Sequence, residues 1–137
     1  MHDDLWRTDT LVTLCHARLR PADGLVRFTD AGHGLMLLVQ ADGSVHRPGR
    51  GGMPLGWPYD AEWPEHSLRM APGDVVVAFS DGVLDLYDGT LHALDEVAAT
   101  VRGLNTAGEI VAHFAARARA MDVLPDDVTV VAIRRTT

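Results

Sequence analysis

The sequence predicts an α+β domain in which two helices cover one face of an antiparallel sheet. Three observations support this class. First, segments typical of strands, joined by turn sequences, fill the first third of the chain. Second, an apolar run at 75–79 suits a strand that is covered on both faces. Third, the apolar residues that follow recur at helical spacing. Six or seven strands and two helices are expected.

The first four strands are predicted as two hairpins. In each pair, alternating or apolar residues lead into turn chemistry, Pro-Ala-Asp-Gly in the first and Asp-Gly in the second, and then into a returning segment. The paired segments are 10–19 with 25–29, and 35–40 with 44–47.

A Gly-, Pro- and Trp-rich connection at 48–64 separates these hairpins from a short strand at 67–70 and the apolar strand at 75–79. We interpret it as a loop inside one domain that spans 1–137.

Two helices and a last strand complete the prediction. Leu94, Val97, Ala98 and Val101 recur at helical spacing, and Gly103 is placed as the residue that ends this helix. The second helix begins at a capping box formed by Thr106 and Glu109. Its apolar stripe comprises Ile110, Val111, Phe114, Ala115, Ala118 and Met121, and the last strand follows at 128–133.

Composition excludes several classes of function. The chain has 12 arginines, no lysine and 19 acidic residues, so its net charge of −7 argues against a surface that follows a nucleic-acid backbone. No apolar run reaches the roughly 20 residues that span a bilayer, and the first residues are acidic where a signal peptide is basic. The lone Cys15 fits a reducing compartment and an apolar packing role. A cytoplasmic location without membrane contact is expected.

Two acidic positions are the candidate metal ligands. Asp81 follows the apolar strand directly, and Gly82 is expected to permit a sharp reversal of the chain. Asp126 and Asp127 precede the last strand, and adjacent carboxylates repel each other unless a cation offsets their charge. Carboxylate oxygens favour Mg²⁺ or Mn²⁺, and such an ion activates water for attack on a phosphate ester. The alternative is that both motifs are ordinary turn chemistry.

For the other polar and aromatic residues, the sequence leaves both a functional and a structural role open. Asp85 is either an acidic residue just outside the direct ligands of the metal site or an exposed loop residue. His33 stands between two glycines and faces either a ligand or the loop around it. The aromatic residues of the long loop, Trp57, Tyr59 and Trp63, either recognise a partner or pack over the sheet edge. The remaining histidines lack zinc-ligand spacing.

Five short motifs, taken in their order along the chain, carry a family resemblance. The chain resembles the sporulation stage II protein E branch of the PPM phosphatases from about residue 11 to 134. The motifs are FTDAGH at 28–33, GMPLG at 52–56, APGD at 71–74, SDGV at 80–83 and DDVT at 126–129.

This resemblance implies a function as well as a fold. It implies a partial α-β-β-α sandwich and a binuclear Mn²⁺ or Mg²⁺ centre that activates water against phosphoserine or phosphothreonine. Asp81 and Asp126 match metal ligands, and Asp127 and Thr129 match supporting positions. Gly82, His33 and Asp85 match further motif positions, with Asp85 standing where relatives commonly have Glu. The implied partner is a phosphorylated anti-anti-sigma protein in bacterial signalling.

Two upstream segments of this branch, resembling G-D-x-x-D and G-D-x-x-G-H-G, have no counterpart here. The upstream G-D pair of this branch supplies the Asp that bridges both metals, so we expect the chain to be the C-terminal portion of such a domain, without its N-terminal metal-binding segment. Two hypotheses follow: a phosphatase that needs those carboxylates from elsewhere, or a non-catalytic module that binds a protein. An uncovered sheet is expected to associate with itself or with a partner.

Overall fold

A computed structural model describes residues 10–49, 52–57 and 60–137 of the 137-residue chain. Tyr59 lies outside these residues. The chain divides into two compact units, one formed by Met1–Gly34 with Pro48–Met70 and the other by Leu35–Arg47 with Ala71–Thr137. Each unit contains an antiparallel sheet, and the helices belong to the second. The predicted α+β class with antiparallel strands is therefore confirmed.

The first unit is built on the predicted hairpin. Strands β1 (Leu14–Arg20) and β2 (Leu25–Ala31) pair antiparallel, and β5 (His66–Arg69) pairs with the other edge of β2. The hairpin turn closes where Gly24, at a φ of 70°, donates its N–H to the carbonyl of Arg20 at 3.0 Å. The first strand begins four residues later than predicted, because Val12 instead exchanges two backbone hydrogen bonds with Leu55.

The second unit contains a four-stranded sheet in the order β4-β3-β6-β7, with bounds β3 Met36–Val39, β4 Val45–His46, β6 Val75–Phe79 and β7 Val130–Arg134. The strand predicted to be covered on both faces is β6, and it lies between β3 and β7 with Val77 fully buried. The second predicted hairpin forms the outer pair, β3 with β4.

Three helices follow β6 in the part of the chain that the structure describes: α1 (Gly82–Asp85), α2 (Ala93–Arg102) and α3 (Ala107–Arg119). The sequence predicted α2 and α3 but not α1, which is a single turn and too short to show a helical period. The capping box of α3 is confirmed, since Thr106 accepts from the N–H of Glu109 and the Glu109 carboxylate accepts from the N–H of Thr106.

Apolar side chains from α2 and α3 pack against one face of this second sheet. Ile110 and Phe114 of α3 and Val97 and Val101 of α2 are at most 1% exposed. Each such side chain contributes roughly 1.5–3 kcal/mol through burial. This packing fixes β6 and β7, and so fixes the residues that extend from their ends.

Candidate functional site

Asp81 lies where β6 ends and α1 begins. It is the N-cap residue of α1, but its side chain makes no hydrogen bond to the helix end, and the residue is exposed. Its backbone carbonyl accepts from the N–H of Leu84 at 2.7 Å. The carboxylate is thus held on rigid backbone and is not used to cap the helix, as a ligand position requires.

Ser80 joins this strand end to the segment before β7. Its backbone N–H donates to the carbonyl of Thr129 at 3.0 Å, and its Oγ accepts from the N–H of Thr129 at 2.9 Å. The same hydroxyl donates to the carbonyl of Asp127 at 2.9 Å. We call these three hydrogen bonds the Ser80 clamp. They place the Asp81 turn beside the segment that holds Asp127 and Thr129.

Gly82 lies against the same segment, for a different reason from the one predicted. Its φ is not positive, and it is the first residue of α1, so it does not make a sharp reversal. A Cβ at this position would stand 2.9 Å from the carbonyl carbon of Asp127 and closer still to its oxygen. Glycine is therefore required by the close approach of two backbones.

The neighbouring acidic residues differ in their surroundings. Asp126 and Asp127 are both exposed, and the Asp126 Oδ1 accepts from the N–H of Asp127 at 2.7 Å. Thr129 contributes its backbone groups to the Ser80 clamp. Asp85 is half-buried at the end of α1, close to Gly89. Its assignment as an outer acid remains a prediction.

His33 belongs to the first unit, where a buried carboxylate organises the surrounding loop. Asp30, 6% exposed, accepts from the N–H of His33 at 2.7 Å and from the N–H of Gly34 at 2.9 Å. Gly32 has a φ of 80°, and a Cβ at this position would lie 2.9 Å from Pro54. The loop conformation therefore depends on Asp30, which the sequence analysis did not single out; an aspartate just before a glycine-rich turn was the available signal.

The aromatic loop shows packing contacts within the first unit. Trp63 donates its indole N–H to the carbonyl of Met53 at 2.7 Å. Trp57 is half-buried, and its indole N–H is buried without a hydrogen-bond partner among the described residues. Recognition of a partner by this loop remains a prediction.

The donor chemistry near the Ser80 clamp suits a hard divalent cation. Carboxylate oxygens of Asp81 and Asp126 are ligands that Mg²⁺ and Mn²⁺ accept, and Mg²⁺ is often held by one or two carboxylates together with waters. Within the described ranges, no group of three or more His, Cys, Asp or Glu side chains is placed to hold a metal ion. Asp81 and Asp126 therefore fit as two ligands of a metal site whose other ligands are water or come from elsewhere.

Comparison with known proteins gives a family and a fold. The family described as stage II sporulation protein E (SpoIIE) matches residues 1–136. The PP2C phosphatase domain of SpoIIE from Bacillus subtilis is similar at 20% identity, with a TM-score of 0.70 over 89% of this chain. The RsbU and RsbW domains of Rv1364c from Mycobacterium tuberculosis are similar at 28% identity, with a TM-score of 0.70 over 90% of this chain.

A third solved structure is the catalytic domain of the serine/threonine phosphatase PstP in complex with two manganese ions. It is 15% identical, with a TM-score of 0.73 over 99% of this chain. Our chain spans 37% of the SpoIIE structure, 36% of the Rv1364c structure and 67% of the PstP structure. It therefore shares the fold of part of a PP2C phosphatase domain. Among the described residues, no helix combines the length and the apolar character that crossing a membrane requires.

Proposed function

Because the chain belongs to the stage II sporulation protein E (SpoIIE) family, we propose that it takes part in metal-dependent hydrolysis of phosphoserine or phosphothreonine on a signalling protein. Its fold is that of PP2C serine/threonine phosphatase domains. The proposal assigns Asp81 and Asp126 as metal ligands, with Gly82, Asp127 and Thr129 as the backbone that positions them.

The observation that carries this proposal is the Ser80 clamp. The exposed Asp81 follows Ser80 directly, and the exposed Asp126 precedes Asp127, one of the two residues that Ser80 contacts. Carboxylates that share a site repel each other, and a cation bound between them offsets this repulsion. Strand β6, buried in the sheet, gives this arrangement the rigid support that a ligand pair needs.

The proposed cofactor is Mn²⁺ or Mg²⁺, held in part by Asp81 and Asp126. The chemistry that such a cation supplies when bound is polarisation of a phosphate ester and activation of water. The chain's own contribution is to present carboxylate oxygens at the surface, where a phosphorylated side chain of another protein reaches them. Asp127 and Asp85 add negative charge around the pair, which raises the local concentration of cations.

The proposed substrate is a phosphorylated regulatory protein of the anti-anti-sigma type in a bacterial pathway. The similarity to a protein with RsbU and RsbW domains supports a regulatory context. We place the protein in the cytoplasm, in line with its composition. His33 is proposed as a supporting residue whose loop is held by Asp30.

A second candidate function is a non-catalytic module that binds a regulatory protein. The finding that favours it is that the described residues hold no cluster of three metal-ligating side chains. Under this alternative, the Ser80 clamp and Gly82 preserve the fold, while the carboxylates are dispensable. The two functions differ in what they require of Asp81.

Hydrolysis of an aryl phosphate and of a phosphoserine peptide, with added Mn²⁺, tests the proposal. The assay uses the chain alone and the chain mixed with the N-terminal half of a SpoIIE-family phosphatase domain. We expect Mn²⁺-dependent hydrolysis that Asp81→Asn abolishes and Asp122→Asn, which changes the charge of an exposed residue outside the pair, leaves intact. Absence of activity in both preparations favours the binding module, and activity that survives Asp81→Asn contradicts the assignment of Asp81 as a metal ligand.

A further inference from the structure

We propose that one face of the first unit's sheet binds an acidic segment of a partner protein. In the register of β1 with β2, Arg18 lies opposite Arg27 and Arg20 lies opposite Leu25, and Leu25 in turn lies opposite Arg69 of β5. Side chains two residues apart on a strand share a face, so these four arginines surround Leu25 on one side of the sheet. We call this surface the arginine face.

The arginine face already binds carboxylates from its own chain. The Asp23 carboxylate accepts from Arg20 at 2.6 Å and from Arg69 at 3.0 Å. On the other side of Leu25, Glu65 lies 4.0 Å from Arg18 and 3.6 Å from Arg27. The guanidinium groups are thus spaced so that one carboxylate faces two of them, and among the described residues each such cluster holds two arginines and one carboxylate.

The pair formed by Arg18 and Arg27 leaves room for a further anion. Like charges directly opposite each other on adjacent strands are destabilising, and Glu65 is the carboxylate that faces both arginines, at 4.0 Å from Arg18 and 3.6 Å from Arg27. Their side chains are 75% and 56% exposed, so an anion can reach them from solvent. A shallow cavity of about 210 Å³ beside them is lined by Arg18, Leu19, Arg20, Leu25 and Arg27. An acidic side chain entering this cavity meets a lining of arginine and leucine residues.

The charge distribution favours an acidic protein segment over a nucleic acid. The arginine face carries four arginines and two carboxylates, net +2, so the other eight arginines and seventeen carboxylates of the chain give −9. This net negative charge of the rest of the chain disfavours a long polyanion more than a short acidic segment. This binding is independent of the proposed hydrolysis, because none of its residues is a proposed metal ligand.

Fluorescence anisotropy with a labelled peptide tests the arginine face. The probe is a peptide of about twelve residues in which Glu alternates with Ala, and its control replaces every Glu with Gln. We expect the Glu peptide to bind at about 50 mM NaCl, to weaken strongly at about 300 mM, and the Gln peptide not to bind. Equal binding of both peptides overturns the proposal. Tighter binding of a DNA duplex with the same net charge also overturns it.

Matched variants distinguish binding at the arginine face from a general effect of net charge. Arg27→Glu is expected to weaken the Glu peptide about fivefold, since it removes one attraction and adds one repulsion. Arg119→Glu changes the net charge by the same amount on an exposed part of α3, and is expected to weaken binding less than about twofold. Arg18→Gln, a milder change, should weaken it about twofold. Circular dichroism confirms folding of each variant. An equal loss in Arg119→Glu contradicts the proposal.

Discussion

Thr129 donates its backbone N–H to the Oγ of Ser80 at 2.9 Å, and the N–H of Ser80 donates to the carbonyl of Thr129 at 3.0 Å. This reciprocal pair extends the contact between β6 and β7 by one residue beyond the strands themselves. Asp81 follows Ser80 directly in the sequence, and Asp126 and Asp127 lie shortly before Thr129. The position of both candidate ligands therefore depends on one serine.

Replacing Ser80 by alanine tests this dependence. The change leaves the N–H of Thr129 and the carbonyl of Asp127 without their hydroxyl partner. We expect a loss of about 1–2 kcal/mol in the free energy of unfolding, measured by urea denaturation. Ser67→Ala, on the exposed surface of β5, is the control and is expected to change it by less than about 0.5 kcal/mol. Equal losses from the two variants would contradict the role of the clamp.

Gly82→Ala tests the close approach of the two backbones. The added Cβ would overlap the carbonyl of Asp127, so the 126–129 segment must shift. We expect a destabilisation of more than about 2 kcal/mol. Gly108→Ala is the matched control: its nearest neighbour is Thr106 Oγ1 at 3.9 Å, and the better helix propensity of alanine stabilises α3 by up to about 1 kcal/mol. Thermal unfolding of both variants measures the contrast, and a stable Gly82→Ala variant refutes the explanation.

Asp30→Ala tests how the His33 loop is held. The buried carboxylate accepts from two backbone N–H groups, and its removal leaves both without that partner. We expect about 2–4 kcal/mol less stability by chemical denaturation. Asp60→Ala, an exposed change in the same unit, should cost less than about 0.5 kcal/mol. If the two variants unfold alike, Asp30 does not organise this loop.

Cys15 gives a prediction about pH. Burial raises the pKa of its thiol, and the negative charge of Asp30 raises this pKa further. A raised pKa lowers the thiolate fraction at every pH below it, and the thiolate is the reactive form. Alkylation by iodoacetamide at neutral pH should therefore be slower in the folded protein than in urea, with the rate midpoint at a higher pH. A folded protein that reacts as fast as the unfolded chain would exclude this environment.

The sequence predicted the elements whose signals are local. The apolar run of β6 placed Asp81 at a strand end, and the capping box of Thr106 and Glu109 located the start of α3. Residues whose roles depend on a distant segment were missed or misread. Gly82 was expected to turn the chain, and its contact with Asp127 became visible only once β6 and β7 were known to be neighbours.

Ser80 and Asp30 illustrate the same limit. A serine before an aspartate carries no signal of the backbone that it contacts almost fifty residues later. Asp30 is buried near the end of β2. The two N–H groups that donate to its carboxylate come from the loop that follows, so their position depends on how that loop folds back. Helix α1 was missed because a single turn shows no period.

Binding of Mn²⁺ at Asp81 and Asp126 is the central claim, and paramagnetic broadening in amide NMR spectra tests it most directly. Added Mn²⁺ is expected to broaden the amide signals of residues 80–82 and 126–129 first. Asp81→Asn and Asp126→Asn should each abolish this local effect, and Asp122→Asn should preserve it. Broadening spread evenly over the acidic surface, or unchanged in the Asp81→Asn variant, would contradict a metal site at these two carboxylates.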